Sequence, residues 1–342
     1  MISTRFRFVL PLAALALAAP AAAQSPASAL PDTAAEVRPA GIVEREVTVG
    51  SGEWALPGVL TLPAGRGPFP ALALMHGSGP GTRDGDVGPN KVAREWAWGL
   101  AARGVATLRY DKRITAHEAR FRALGRSATV AEEHTDDGLA AVRLLQTLPE
   151  VDRRRVYVHG GSQSTLVAPG IANATGAAGV LLVAAAARSP ADMVREQVTY
   201  AASLHRDSGD TAKLRQTERL LARVDLLERP ESPDTLTLLG LPFAYWRSLR
   251  ASQMRADLDA LLARGGRALV VHGGRDFLVT DEDFATLQRW FAGRRSIGFR
   301  RYAGLNHLMQ PGVGRMRPEE YGERGRVSAE LIGDVADWIL RG

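Results

Sequence analysis

The sequence predicts an α/β protein whose central sheet is mostly parallel and flanked by helices. Two observations carry this expectation. Short apolar runs of β character alternate with amphipathic helical stretches along most of the 342 residues, and strands apolar on both faces need helices on either side. At least one such run, 156–159, stops abruptly at Gly160-Gly161-Ser162, as a strand does when it feeds a sharp turn into a helix. Only one stretch, 189–254, breaks the alternation.

In chain order, the first element is a targeting segment. Arg5 and Arg7 form a short basic region, 8–19 is an apolar run too short and too alanine-rich for a good membrane span, and Ala21-Ala22-Ala23 precedes Gln24 as a small-residue cleavage site. Residues 1–23 are therefore expected to be a signal peptide, directing export to the periplasm or beyond with no stable membrane insertion after cleavage. The Ala-, Pro- and Ser-rich stretch 24–40 is expected to be a flexible leader. Segments 43–49 and 56–62 alternate around a Gly-Ser-Gly turn and predict an antiparallel hairpin at the sheet edge. Further strands are expected at 70–76, 104–110, 155–159, 179–184, 267–272 and 296–302, with helices at 91–102, 136–148, 163–173, 281–291 and 327–340. The core is then 41–188 together with 255–342. Between them 189–254 has helical periodicity and breaks near Ser208-Gly209 and at 230–233, which suggests a helical cap inserted between two core strands. Its aromatic group Phe243, Tyr245 and Trp246 either packs cap on core or lines a substrate site.

Composition narrows the function. Net charge is +6, and the basic residues are nearly all arginine, with only Lys91, Lys112 and Lys213 as lysines. These charges are interleaved with Asp and Glu rather than gathered in a stripe, which argues against nucleic acid as a partner. The absence of cysteine excludes disulfides, thiolate metal sites and a lipid-modified N-terminal cysteine.

Three residues carry the chemistry. Gly160-Gly161-Ser162-Gln163-Ser164 has the layout of a nucleophile elbow, in which a strained turn exposes the serine oxygen and aims backbone N–H groups at a developing oxyanion. Asp276 follows the strand 267–272, and His307 follows the last short strand. The chain order Ser162, Asp276, His307, each just after a strand, is that of the serine-hydrolase triad on an α/β sheet.

Other motifs accompany the triad. Leu56-Pro57-Gly58-Val59-Leu60-Thr61-Leu62-Pro63, His76-Gly77-Ser78-Gly79-Pro80 with Arg83-Asp84, Tyr110-Asp111-Lys112-Arg113, Gly274-Arg275-Asp276 and Leu305-Asn306-His307 stand beside the elbow. Together they resemble the α/β-hydrolase superfamily, in its dienelactone-hydrolase-like and prolyl-oligopeptidase-related branch of esterases, from about residue 46 to the C-terminus. Two positions depart from that pattern: Ser164 replaces the usual second glycine of the elbow, and Ile114 replaces a frequent glycine. The resemblance implies that Ser162 attacks a carbonyl carbon, His307 relays the proton, and Asp276 orients the histidine. It also implies an oxyanion hole from the N–H groups of Gln163 and Ser78.

Rival residues read as structural. Ser164 lacks small neighbours on both sides, Asp281, Glu282 and Asp283 suit the first turn of a helix, Asp84 and Asp111 suit loop fixing, and Asp152 suits a turn. His76, His159 and His272 each end a strand before glycine, and they suit hydrogen bonds at the sheet edge better than a metal site. The expected protein is an exported serine hydrolase of carboxylic esters acting on a small-molecule substrate, with no metal or organic cofactor. A peptidase or thioesterase on the same triad is the near alternative, and a non-catalytic ligand-binding protein on this scaffold the more distant one.

Overall fold

A computed structural model describes residues 37–204 and 211–341. The signal peptide, most of the leader and the Ser208-Gly209 break lie outside the described residues. Eight strands form one sheet: β1 (Val43–Val49), β2 (Leu56–Leu62), β3 (Phe69–Leu74), β4 (Ala106–Tyr110), β5 (Val151–Gly161), β6 (Gly179–Val183), β7 (Arg267–Gly273) and β8 (Ile297–Tyr302). Their order is β1-β2-β4-β3-β5-β6-β7-β8. Only β2 pairs antiparallel, with β1 on one side and β4 on the other; every remaining pair is parallel.

Alternate residues of the parallel strands point to opposite faces, and both faces are dry. Ala71, Ala73, Val156, Val158, Val180, Leu182, Ala268 and Val270 belong to one buried cluster, while Leu72, Leu74, Tyr157, Leu181, Val183, Leu269 and Val271 belong to another. That is why these strands read as continuous apolar runs rather than as an alternation. Helices α1 (Val92–Ala101) and α9 (Ala329–Leu340) cover the second cluster through Trp96, Leu100, Leu331, Val335 and Ile339. The first is covered by α2 (Asp136–Thr147), α3 (Ala168–Thr175), α7 (Met254–Ala263) and α8 (Asp281–Trp290). Each fully buried Leu or Val contributes roughly 1.5–3 kcal/mol.

Between β6 and β7 the chain makes α4 (Pro190–Ser203), α5 (Thr211–Glu228) and α6 (Phe243–Arg250). A two-residue hairpin, Thr237–Leu238 against Leu241–Pro242, interrupts them where only helix is expected. Its turn places Leu239 and Gly240 at φ 51° and 79°, a backbone that suits a tight hairpin and is too brief to leave a periodic signature. Two other boundaries differ most from expectation. Strand β5 starts at Val151, with a register irregularity against β3 between Phe69 and Ala71. The helix expected from 163 starts only at Ala168, because Ser162–Leu166 forms a tight 3₁₀ turn first. Among the described residues no helix is long and apolar enough to cross a membrane.

Candidate active site

The strand β5 delivers Ser162 into a conformation that L-residues avoid, φ 54°. The turn can be this tight because Gly160 has no side chain: a Cβ there would sit 2.9 Å from both Ala168 Cβ and Thr165 Cα. Ser164 braces the same turn. Its Oγ accepts from Gly161 N at 2.9 Å and donates to Gly161 O at 3.1 Å, while Thr165 Oγ1 donates to Ser162 O at 2.6 Å. The departure from glycine therefore supplies hydrogen bonds within the elbow.

At the end of β7, Gly273 allows the histidine loop to cross over the acid strand; a Cβ there would approach Leu305 O and Asn306 O at 2.6 Å. Asp276 follows, with its side chain withdrawn from solvent. Asp276 Oδ1 accepts from Leu278 N (2.8 Å) and Val279 N (3.2 Å), and Oδ2 meets His307 Nδ1 at 2.6 Å. The histidine turn is itself held by Asn306 Oδ1, which accepts from Leu308 N and Gln310 N at 2.9 and 3.0 Å. Arg275, 5% exposed, ties the acid strand to the loop beyond His307 through both oxygens of Glu320 and the carbonyl of Gly314. With Nδ1 engaged, Nε2 is the ring nitrogen left to serve the cavity that His307 and Ser162 both line.

Sheet register sets the two loops side by side. Leu74 pairs with His159 and Gly161 with Val183, so the loop after β3 and the elbow leave the same edge side by side. A Cβ on Gly77 would lie 3.4 Å from Ser162 Cβ, and Ser78 and Gln163 both line the cavity. Behind them lies an assembly of whose charged residues only Lys112 belongs to a motif noted in the sequence. Lys112 Nζ reaches Glu133 Oε1 at 2.6 Å and Gly77 O at 2.8 Å, and Gly79 N donates to Glu133 Oε1 at 3.0 Å. The Tyr245 hydroxyl donates to Glu133 Oε2 and lies 2.9 Å from the carboxamide oxygen of Gln163, which His134 Nε2 also reaches at 3.0 Å. Burial alone would raise the Glu133 carboxyl, but the Lys112 ammonium, helped by His134 and by hydrogen bonds from Lys112 and Tyr245, holds it at about 2.

The cavity has a volume of about 560 Å³ and walls of mainly apolar side chains, including Trp96, Leu166, Val183 and Leu278 from the core and Met193 and Leu249 from the insertion. The aromatic trio does not act as a unit. Trp246 lines the cavity, with its Nε1 donating to Leu238 O at 3.0 Å. Phe243 is fully buried in the core and absent from the wall, and Tyr245 spends its hydroxyl on Glu133 and Gln163. Of the three expected either to pack or to line a substrate site, only Trp246 reaches the cavity wall.

Each of the three strand-end histidines is hydrogen-bonded, and His76 and His159 line the same cavity as Ser162. His76 Nε2 pairs with Tyr110 O at 2.6 Å, His159 Nδ1 with Met75 O at 3.2 Å, and His272 Nε2 with Asp281 Oδ1 at 3.1 Å. Desolvation lowers His76 and His159 to about 4 each. Among the described residues no group of three or more His, Asp or Glu side chains is arranged to hold a metal ion. Asp111 accepts from Arg83 N, Nε and Nη2, Asp84 pairs with Arg94, and Asp152 accepts from Arg154 N. Asp283 does more than cap its helix: its carboxylate also binds Ala187 N and Arg188, fixing the start of the insertion.

No protein-family model matches the chain. It is 34% identical over 305 residues to esterase EstD of Thermotoga maritima, spanning 89% of this chain and 69% of that protein. Among solved structures, Est1E from Butyrivibrio proteoclasticus superposes with a TM-score of 0.55 at 18% identity, over 87% of this chain and 99% of that one. Dipeptidyl peptidase 4 of Porphyromonas gingivalis superposes with a TM-score of 0.50 at 16% identity, over 87% of this chain and 35% of that one. These two likenesses concern the fold.

Proposed function

The chain belongs to the α/β-hydrolase superfamily of serine esterases, and from that premise we propose that it cleaves small-molecule carboxylic esters through an acyl-enzyme formed on Ser162. The observation that carries this reading is Asp276 bonded at 2.6 Å to His307, which shares a cavity with a Ser162 held at φ 54°. Ser162 Oγ attacks the ester carbonyl carbon as His307 Nε2 takes its proton. The carbonyl oxygen becomes an oxyanion that the N–H groups of Gln163 and Ser78 receive. Collapse of the tetrahedral species breaks the bond to the alcohol oxygen, which leaves with the proton from His307. Water then attacks the acyl carbon, giving a proton to His307 that returns to Ser162 Oγ as the acid departs. Asp276 orients the ring and stabilises its protonated form at both steps.

The apolar cavity favours an ester with a modest aliphatic or aromatic acyl group over an extended peptide. Est1E holds ferulic acid in one of its structures, and an aromatic acid of that kind is compatible with such walls. The basic, apolar and small-residue succession of 1–23 supports export. Ser162→Ala tests the central claim. Purified variant should lose nearly all hydrolysis of p-nitrophenyl esters and all labelling by a fluorophosphonate probe while keeping its circular dichroism; wild-type turnover would remove Ser162 from the mechanism.

A further inference from the structure

Lys112 is one of three lysines in the chain, and only 2% of its surface is exposed. Burying an ammonium is costly and demands full pairing. Glu133, 4% exposed, supplies the counter-charge, and a second ammonium hydrogen goes to Gly77 O, which satisfies the buried cation with a carbonyl of the loop beside Ser162. That carbonyl belongs to the same peptide group as the Ser78 N–H. The peptide is trans, so its C=O and N–H point in opposite directions. With the carbonyl turned onto Lys112, the Ser78 N–H is turned away from Lys112, while Gly77 itself lies over Ser162. A cation on the carbonyl oxygen also draws electron density through the amide and makes its N–H a stronger donor.

The other members extend the same device. Glu133 Oε1 accepts from Gly79 N, so the residues on both sides of Ser78 are held by one ion pair. Glu133 Oε2 takes the Tyr245 hydroxyl, which touches the side chain of Gln163, the residue whose N–H is the second donor. We propose that Lys112, clamped by Glu133, is a positioning residue that turns and polarises the Gly77–Ser78 peptide toward the oxyanion, and that Tyr245 couples this clamp to Gln163. The inference rests on the acyl-transfer reading given above.

Two variants test it. Lys112→Met combined with Glu133→Gln removes both charges together and leaves neither stranded; Tyr245→Phe removes one hydroxyl and keeps the ring. Each is assayed for kcat and KM on a p-nitrophenyl ester, and for affinity toward an aryl trifluoromethyl ketone, which mimics the tetrahedral adduct, and toward the product acid. Losing a whole oxyanion donor lowers kcat about 10²–10³-fold, so misdirecting one should lower it roughly 10–100-fold, and Tyr245→Phe somewhat less. KM and product affinity should hold, while ketone affinity falls by the same factor as kcat. A folded double variant with wild-type kcat and ketone affinity overturns the proposal, as does a loss of kcat that ketone affinity does not follow. If the double variant does not fold, Tyr245→Phe decides alone: matched losses sustain the clamp, and unchanged values overturn it. Ser162→Ala separates the two readings, because an active Ser162→Ala sinks the acyl-enzyme itself, whereas an inactive one beside wild-type clamp variants sinks only this inference.

Discussion

Ser164 shows how one atom can reconcile an unusual residue with a demanding turn. Glycine is favoured in an elbow because bulk there collides with backbone, yet the Ser164 Oγ folds back onto Gly161 and satisfies both its N–H and its C=O. Ser164→Ala should therefore remain an active esterase but lose about 1–3 kcal/mol of stability, since two backbone groups are left short of partners. Urea denaturation beside an ester assay checks this; inactive but fully stable protein would assign Ser164 to the chemistry. Arg275 and Asn306 act at the same scale, fixing the path of the loop that carries His307.

At the scale of elements, the insertion divides its labour along one short helix. Around the axis of α6, residue 245 lies about 200° from 243 and about 100° from 246, so Tyr245 leaves the side that Phe243 and Trp246, about 60° apart, share. Phe243 faces the core, Tyr245 reaches Glu133 and Gln163, and Trp246 faces the cavity. Phe243→Ala should lower stability by about 3–5 kcal/mol while the preference between short and longer acyl esters stays fixed. Trp246→Ala should change that ratio of kcat/KM by roughly tenfold to two-hundredfold. Ratios measured on butyrate and octanoate esters decide the matter, and a shift with Phe243→Ala alone would reverse the assignment.

Across the whole molecule, packing around the site creates an acid sensitivity. His134 and His159 are buried and desolvation lowers each from 6.5 to about 4; the half-buried His76 is lowered to about 4 as well. Below 6.5 the unfolded chain takes up these protons and the folded one does not, so stability should fall as pH drops from about 6.5 to about 4, at roughly 1.4 kcal/mol per pH unit for each histidine. Asp137, pushed up to about 6 by burial against the pull of Arg113, acts in the opposite sense and offsets about one histidine over most of that range. Glu133, held at about 2, adds a further loss as pH falls from 4.5 toward 2. Thermal melts between pH 7 and 4 should show a declining Tm, and His134→Gln should flatten the slope; a Tm independent of pH would contradict the burial of these rings.

What the sequence determined by itself was local. Glycines at 160, 161, 273 and 274, apolar runs of strand length and the order Ser162, Asp276, His307 are legible because a sharp turn, a two-sided strand and a residue just past a strand end each make demands on consecutive residues. Only the tertiary structure decided that Lys112 and Glu133, 21 residues apart, close behind Gly77, and that Tyr245 reaches across from the insertion to join them. In the sequence, Lys112 stands in the Tyr110–Arg113 motif with no sign of its partner, and Glu133 reads like any acid at the start of a helix. Burial and pairing are properties of what the sheet order brings together, and the sequence neighbours of a residue do not carry that information.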